Sequence, residues 1–176
     1  MSLRPIGGIF LRLDSSGNLN VYDTSGTVVL KLIGGVISGV QARGTPGTNS
    51  AVLTNATATL NYVGVGVVIT PLVSTKVLIY CVGRASNNTG GDGVGIQINQ
   101  NVGNSVHAGG GAAAGTALNG IAYTGLSANS ATPFAIMVEA TGLTPGTNYV
   151  FDLCLQALTG GTATIVVNDQ VHCFEM

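Results

Sequence analysis

GLTPGTNYVFDLCLQALTGGTATIVV, residues 142–167, is the stretch on which the reading of the fold turns. Tyr149, Phe151, Leu153 and Leu155 share one face of an extended strand, and Val150, Asp152, Cys154 and Gln156 share the other. That is the period of two of a β-strand with one strongly apolar face. Ahead of it, Leu143-Thr-Pro145-Gly146 places proline and glycine in the order of a type II turn. Behind it, Thr159-Gly160-Gly161 tolerates positive φ, and Thr162 to Val167 is β-branched almost throughout. The pair therefore reads as an antiparallel hairpin.

The same grammar continues outward. Phe134, Ile136 and Val138 alternate with Ala135, Met137 and Glu139, and Ile121 to Thr124 makes a short strand. Asn99 to Asn119 combines the glycine of a loop with the alanine of a packed surface and assigns itself to neither. Val94, Ile96 and Ile98 alternate with Gly95 and Gln97. Arg84 to Gly93 is a loop by composition. Lys76 to Val82, KVLIYCV, is apolar on both faces, so it is a strand buried between layers or under another subunit. Thr57 to Ile69 has valines on one side and a nearly bare glycine side that a neighbouring backbone can approach closely, and Pro71 closes it. The tail alternates Val171, Cys173 and Glu175 with His172, Phe174 and Met176 as a last strand. No segment sustains a helical apolar period, so the fold class is all-β: an antiparallel β-sandwich of jelly-roll type over residues 51–176.

Residues 1–44 read as an N-terminal β-hairpin segment. Asp14-Ser-Ser-Gly17-Asn-Leu19-Asn-Val21 and Asp23-Thr-Ser-Gly26-Thr-Val28-Val-Leu30 repeat one turn-and-strand phrase. One such unit cannot bury its apolar side alone. The segment is either a pair of hairpins packed on the main domain or an attachment and oligomerisation element. Gly34 to Ser50 is a glycine-rich connector.

Charged residues make up 7% of the chain, against roughly 25% in ordinary soluble domains. The net charge of -1 leaves no electrostatic footprint for nucleic acid or an anionic membrane. No cleavable signal pattern is expected, and no run reaches the ~18 apolar residues of a membrane helix. So little charge gives weak protection against self-association, and copies of the chain or a partner are expected to cover much of the surface.

Chemistry-bearing residues are few: His107, His172, two glutamates and Asp14, Asp23, Asp92, Asp152 and Asp169. No nucleophile elbow or paired-histidine zinc motif accompanies them, so no catalytic residue is assigned. The glycines at 90–93 and 109–111 lack the lysine and the strand-to-helix context of a phosphate loop. Asn87, Asn88 and Asp92 offer oxygen to a calcium ion, but with a single carboxylate they read as a surface loop. Asn55-Ala-Thr57 and Asn87-Asn-Thr89 match the glycosylation sequon and, without a secretory signal, read as chance. Cys81, Cys154 and Cys173 lack zinc spacing, and Cys81 and Cys154, inside apolar strands, read as inert buried thiols. Tyr62, Tyr80, Tyr123 and Tyr149 are expected in the core. Neither cofactor nor metal is expected, and no binding residue is assigned.

Leu143-Thr-Pro-Gly-Thr147-Asn-Tyr149 resembles the turn before a late strand of fibronectin type III domains, a device shared among β-sandwiches. KVLIYCVGRASNNTGGDGVGIQI, GLTPGTNYVFDLCLQALTGGTATIV and the strand-like close at the C-terminal residue together resemble the trimeric jelly-roll heads of viral and phage fibres and spikes. Those heads are relatives in shape of the tumour-necrosis-factor and C1q fold. The resemblance implies a non-enzymatic virion structural protein on the particle surface, as a fibre or spike head or a capsid decoration protein. It further implies a homotrimer that joins other virion proteins through its N-terminal segment and either binds a host surface receptor or glycan or stabilises the particle. The competing readings are a surface-layer or adhesin subunit and a lectin-like carbohydrate-binding module using loops 84–93 and 99–119. A small hydrolase would need His107 or His172 beside an aspartate.

Overall fold

A computed structural model describes the backbone of residues 10–13, 19–22, 28–33, 36–38, 45–48, 53–55, 59–166 and 170–176. Among them every regular element is a strand, and every pairing is antiparallel. The chain divides into two compact units, Met1–Gln41 and Ala42–Met176.

In the first unit, β1 (Phe10–Leu13), β2 (Leu19–Tyr22), β3 (Val28–Ile33) and β4 (Val36–Ser38) form a sheet in sequence order. β2 and β3 carry the strand halves of the repeated phrase. Its turns, at 14–18 and 23–27, lie outside the described residues.

The second unit holds β5 (Thr45–Thr48), β6 (Leu53–Asn55), β7 (Asn61–Ile69), β8 (Val77–Asn87), β9 (Val94–Val102), β10 (Thr116–Tyr123), β11 (Thr132–Ala140), β12 (Tyr149–Ala157), β13 (Ala163–Val166) and β14 (Gln170–Glu175). One sheet runs β10-β9-β12-β7. In the other, β8 pairs with β11 along one edge and with β14 and then β13 along the other, and β13 continues to β6. β5 pairs with both β7 and β14 and so links the two sheets at one side. Between them lies one core, including Val67, Ile79, Ile98, Phe151, Leu153, Ile165 and Cys173. Each fully buried side chain of this size contributes about 1.5–3 kcal/mol by leaving water. This is a β-sandwich with the crossing connections of a jelly roll, as the strand grammar implies.

Three local expectations are corrected. β12 and the strand after Thr159-Gly160-Gly161 are not a hairpin, because β12 pairs with β7 and β9 while β13 pairs with β6 and β8. The glycine turn, with Gly161 at φ 65°, instead carries the chain across the sandwich. β12 has apolar residues on both faces and can take a central place with longer partners on either edge. Loop 84–93 begins later than its composition implies, since β8 runs to Asn87 and pairs with β11 and β13. The connector 34–50 contains β4 and β5.

The bare side of β7 behaves as expected. Gly64, at φ 81°, sits where the ladder to β12 shifts register, and a Cβ there would come within 3.1 Å of the Gly109 backbone. The segment after β9 folds back over the sheet at this point. Tyr62 N–H donates to Gly111 O (2.8 Å), Gly110 N–H to Tyr62 O (2.9 Å) and Ala113 N–H to Leu60 O (2.8 Å). Residues 103–115 are thus a cover on the outer face of the first sheet.

The tail strand places Glu175 on the core side, 2% exposed. A buried carboxylate needs donors, and the turn after β7 supplies them: Leu72 N–H at 3.0 Å from each oxygen, Val73 N–H at 2.6 Å from Oε1, and Ser74 N–H. Consecutive amides aimed at one anion form a concave cradle. Replacing Glu175 with glutamine sets an amide donor against these N–H groups, and the expected cost is about 2–4 kcal/mol in urea unfolding, with little change in m-value.

Candidate functional site

On the outer side of β12, Val150, Asp152 and Cys154 are almost wholly buried, and segment 103–115 meets Val150 and Asp152. Asp152, 1% exposed, accepts from His107 N–H (3.0 Å), and its Oδ2 lies 2.7 Å from His107 Nδ1. The imidazole stacks on Tyr62 at 4.4 Å between centroids, 7° from parallel. Tyr62 Oη accepts from Ala114 N–H (2.9 Å) and from Asn101 Nδ2 (3.3 Å). The carboxylate holds the imidazole by its Nδ1 edge, and the His107 side chain is 42% exposed.

A histidine beside an aspartate is the arrangement a hydrolase would require, and the fold brings His107 to Asp152 across 45 residues of sequence. His172 goes elsewhere, onto β14 next to Phe174, with ring centroids 6.2 Å apart. Among the described residues, the partners of His107 are Asp152 and the Tyr62 ring. The nearby backbone donors at Tyr62, Gly110, Ala113 and Ala114 are already used in holding the segment down. A buried anion, a stacked ring and a bonded backbone thus fasten the cover to β7 and β12.

The other candidates separate. Among the described residues no three His, Cys, Asp or Glu side chains converge as a metal site. In loop 87–92, Asn87 Oδ1 accepts from Thr89 N–H (3.0 Å), Asn88 Oδ1 from Thr162 N–H (2.7 Å), and Asp92 Oδ1 from Thr159 Oγ1 (2.8 Å). Those oxygens shape the Gly160-Gly161 crossing. Asp14, Asp23, Asp169, Arg43 and the Asn55 sequon lie outside the residues whose side chains are described. Cys81, Cys154 and Cys173 are buried, and none of them is in a disulfide. Burial pushes the Cys81 thiol from its ordinary 9.0 up to about 12. Burial and the neighbouring Asp152 carboxylate, opposed by a hydrogen bond from the Asn99 backbone, push Cys154 up to about 12.

The second sheet shows the opposite pattern on its outer side. β8 buries Val77, Ile79 and Cys81 inward and presents Leu78, Tyr80 and Val82 outward. Across the ladder, Met137, Tyr80 and His172 form one row, and Glu139, Leu78 and Phe174 the next. Tyr80 is 38% exposed, Met137 66% and Met176 43%. Tyr80 thus departs from the core position expected of it. At the border, Lys76 Nζ meets Glu139 Oε1 at 2.8 Å. KVLIYCV is apolar on both faces, but only its inner face is covered by the sandwich.

No protein-family model and no curated protein sequence matches the chain. Among solved structures it is similar to the Eiger TNF from S. frugiperda, at 9% identity and a TM-score of 0.42, over 78% of this chain and 92% of that one.

Two outcomes follow, one from the clamp on β12 and one from the buried thiols. His107→Ala should loosen the cover by about 1–3 kcal/mol, raising amide hydrogen exchange at Tyr62, Gly110 and Ala113 well before Val67 in the core. The folded chain also keeps thiol protons that the unfolded chain releases between pH 9 and 12, so stability should fall as pH rises through that window. Urea midpoints measured from pH 8 upward check this, and Cys81→Ala should flatten the slope.

Proposed function

We propose that this chain is a non-enzymatic structural subunit that assembles with copies of itself through the outer face of β11, β8 and β14. The observation that carries the reading is that face: Tyr80, Met137, Leu78, Val82 and Phe174 adjoin one another on a regular sheet, bordered by one ion pair. A contiguous apolar sheet surface on a chain with 7% charged residues favours association. Copies arranged about a common axis bury this face against one another and need no charged partner.

Three copies closing a ring is the stoichiometry implied by the sequence resemblance to fibre and spike heads, and a closed ring leaves no apolar face for further growth. The same resemblance suggests the setting: the surface of a virion, with the N-terminal segment 1–44 joining the subunit to its neighbours and the jelly roll projecting as a head or decoration. The use of His107 and Asp152 to fasten segment 103–115 supports a role without catalysis.

Light scattering on the native protein should give a mass near three times 17.6 kDa. Tyr80→Glu combined with Met137→Lys should reduce it to the single-chain mass while circular dichroism stays unchanged. A monodisperse single chain in the unmodified protein would sink the assembly reading.

A further inference from the structure

The outer face of the first sheet is covered by segment 103–115 over only part of its extent. Beyond the cover, a groove of about 280 Å³ crosses β10, β9 and β12. Gly95 and Gly120 are its floor, Gln97 and Gln156 bring carboxamides to it, and Leu60 and Leu158 are its apolar walls. We propose that this groove binds a single neutral sugar ring, such as the terminal residue of a glycan.

The glycines are required by the sheet as well as by the groove. A Cβ on Gly120 would stand 2.5 Å from Ile96 O, and one on Gly95 would stand 2.9 Å from the Gln156 side chain. Gly120 is exposed and leaves backbone on which a flat ligand can lie, while Gly95 is buried beside the Gln156 and Leu158 side chains. Gln97 uses Nε2 to donate to Asn99 Oδ1, which leaves its carbonyl oxygen to accept. Gln156 has no hydrogen-bond partner among the described residues, so it offers both a donor and an acceptor. Two amides with this capacity match adjacent hydroxyls, each of which both donates and accepts. Leu60 and Leu158 suit the C–H faces of a ring.

The alternatives fit less well. None of the residues lining the groove is charged, which disfavours phosphates, sialic acids and other anions. No aromatic side chain lines it to stack a nucleobase. A peptide strand adds to a free sheet edge, whereas this groove crosses the face of paired strands. Its volume falls just under the roughly 300–1,000 Å³ of drug-sized sites, so one ring is the scale of its ligand. The groove lies on the opposite side of the sandwich from Tyr80 and Met137, and an assembly through that face leaves it open.

The test is amide-correlation NMR of the full chain titrated separately with glucose, galactose, mannose and N-acetylglucosamine, with N-acetylneuraminic acid as the charged control. One or more neutral sugars should saturably shift the backbone amides of Gly95 and Gly120 and the side-chain amides of Gln97 and Gln156. Gln156→Ala should weaken that binding at least roughly tenfold while its spectrum reports an intact fold. The proposal is overturned if no neutral sugar gives saturable shifts, if the shifts fall on loop 84–93, or if Gln97→Ala and Gln156→Ala both bind as before. The doubly substituted single-chain variant at Tyr80 and Met137 should bind sugar unchanged, and loss of binding there would also overturn the site. An unmodified protein that proves monomeric yet binds sugar in the groove would remove the assembly reading alone.

Discussion

β12 is apolar or buried along both of its faces, and the second unit is arranged to cover it twice. Phe151, Leu153 and Leu155 turn inward onto the opposite sheet. Val150, Asp152 and Cys154 turn outward, where, among the described residues, the chain's own segment 103–115 covers the face. A central strand with two dry faces needs every polar group on it satisfied. Asp152 is the one charge there, and the fold meets it with the His107 backbone amide, the imidazole and Asn101. The glycine-rich character of 103–115 follows from the same need, since Gly64 and Gly109 must pass backbone to backbone.

β8 poses the same problem and receives a different answer. Its inner face is packed as tightly as that of β12, but its outer face carries Leu78, Tyr80 and Val82 with no segment of the described chain clamped over it. One sheet is finished by its own chain and the other is left with a regular apolar surface. That asymmetry gives the described sandwich two sides with different physical character: one presents Tyr80 and Met137, and the other presents Gln97, Gln156 and the 103–115 cover. With so few charges available, those that are placed serve geometry. Glu175 gathers the turn amides after β7, and Lys76 and Glu139 border the apolar face.

Much of this was legible in the residues. The period of two in β9, β11, β12 and β14 marks their core faces, the two-sided apolarity of KVLIYCV marks β8, and the glycines of β7 mark a close backbone approach. These signals are local, because side-chain alternation is a property of the strand itself. Pairing is not local. Nothing in Thr159-Gly160-Gly161 distinguishes a hairpin turn from a crossing, and the outcome rests on which distant strands offer β12 and β13 longer ladders. Asn99 to Asn119 was opaque for a related reason: its glycines and alanines suit close packing, but their partner surface is made of residues far away in sequence.

The sequence by itself determined the all-β class, the inward face of most strands, the inert character of Cys81 and Cys154, and a surface poor in charge. Each depends on the composition and alternation of neighbouring residues. Only the tertiary structure decided that His107 meets Asp152, that Glu175 is buried in a cradle of amides, that Tyr80 faces outward beside Met137 and His172, and that Gln97 and Gln156 flank a glycine floor. Those groups are brought together by strand order and register, which are set by the packing of the whole sandwich.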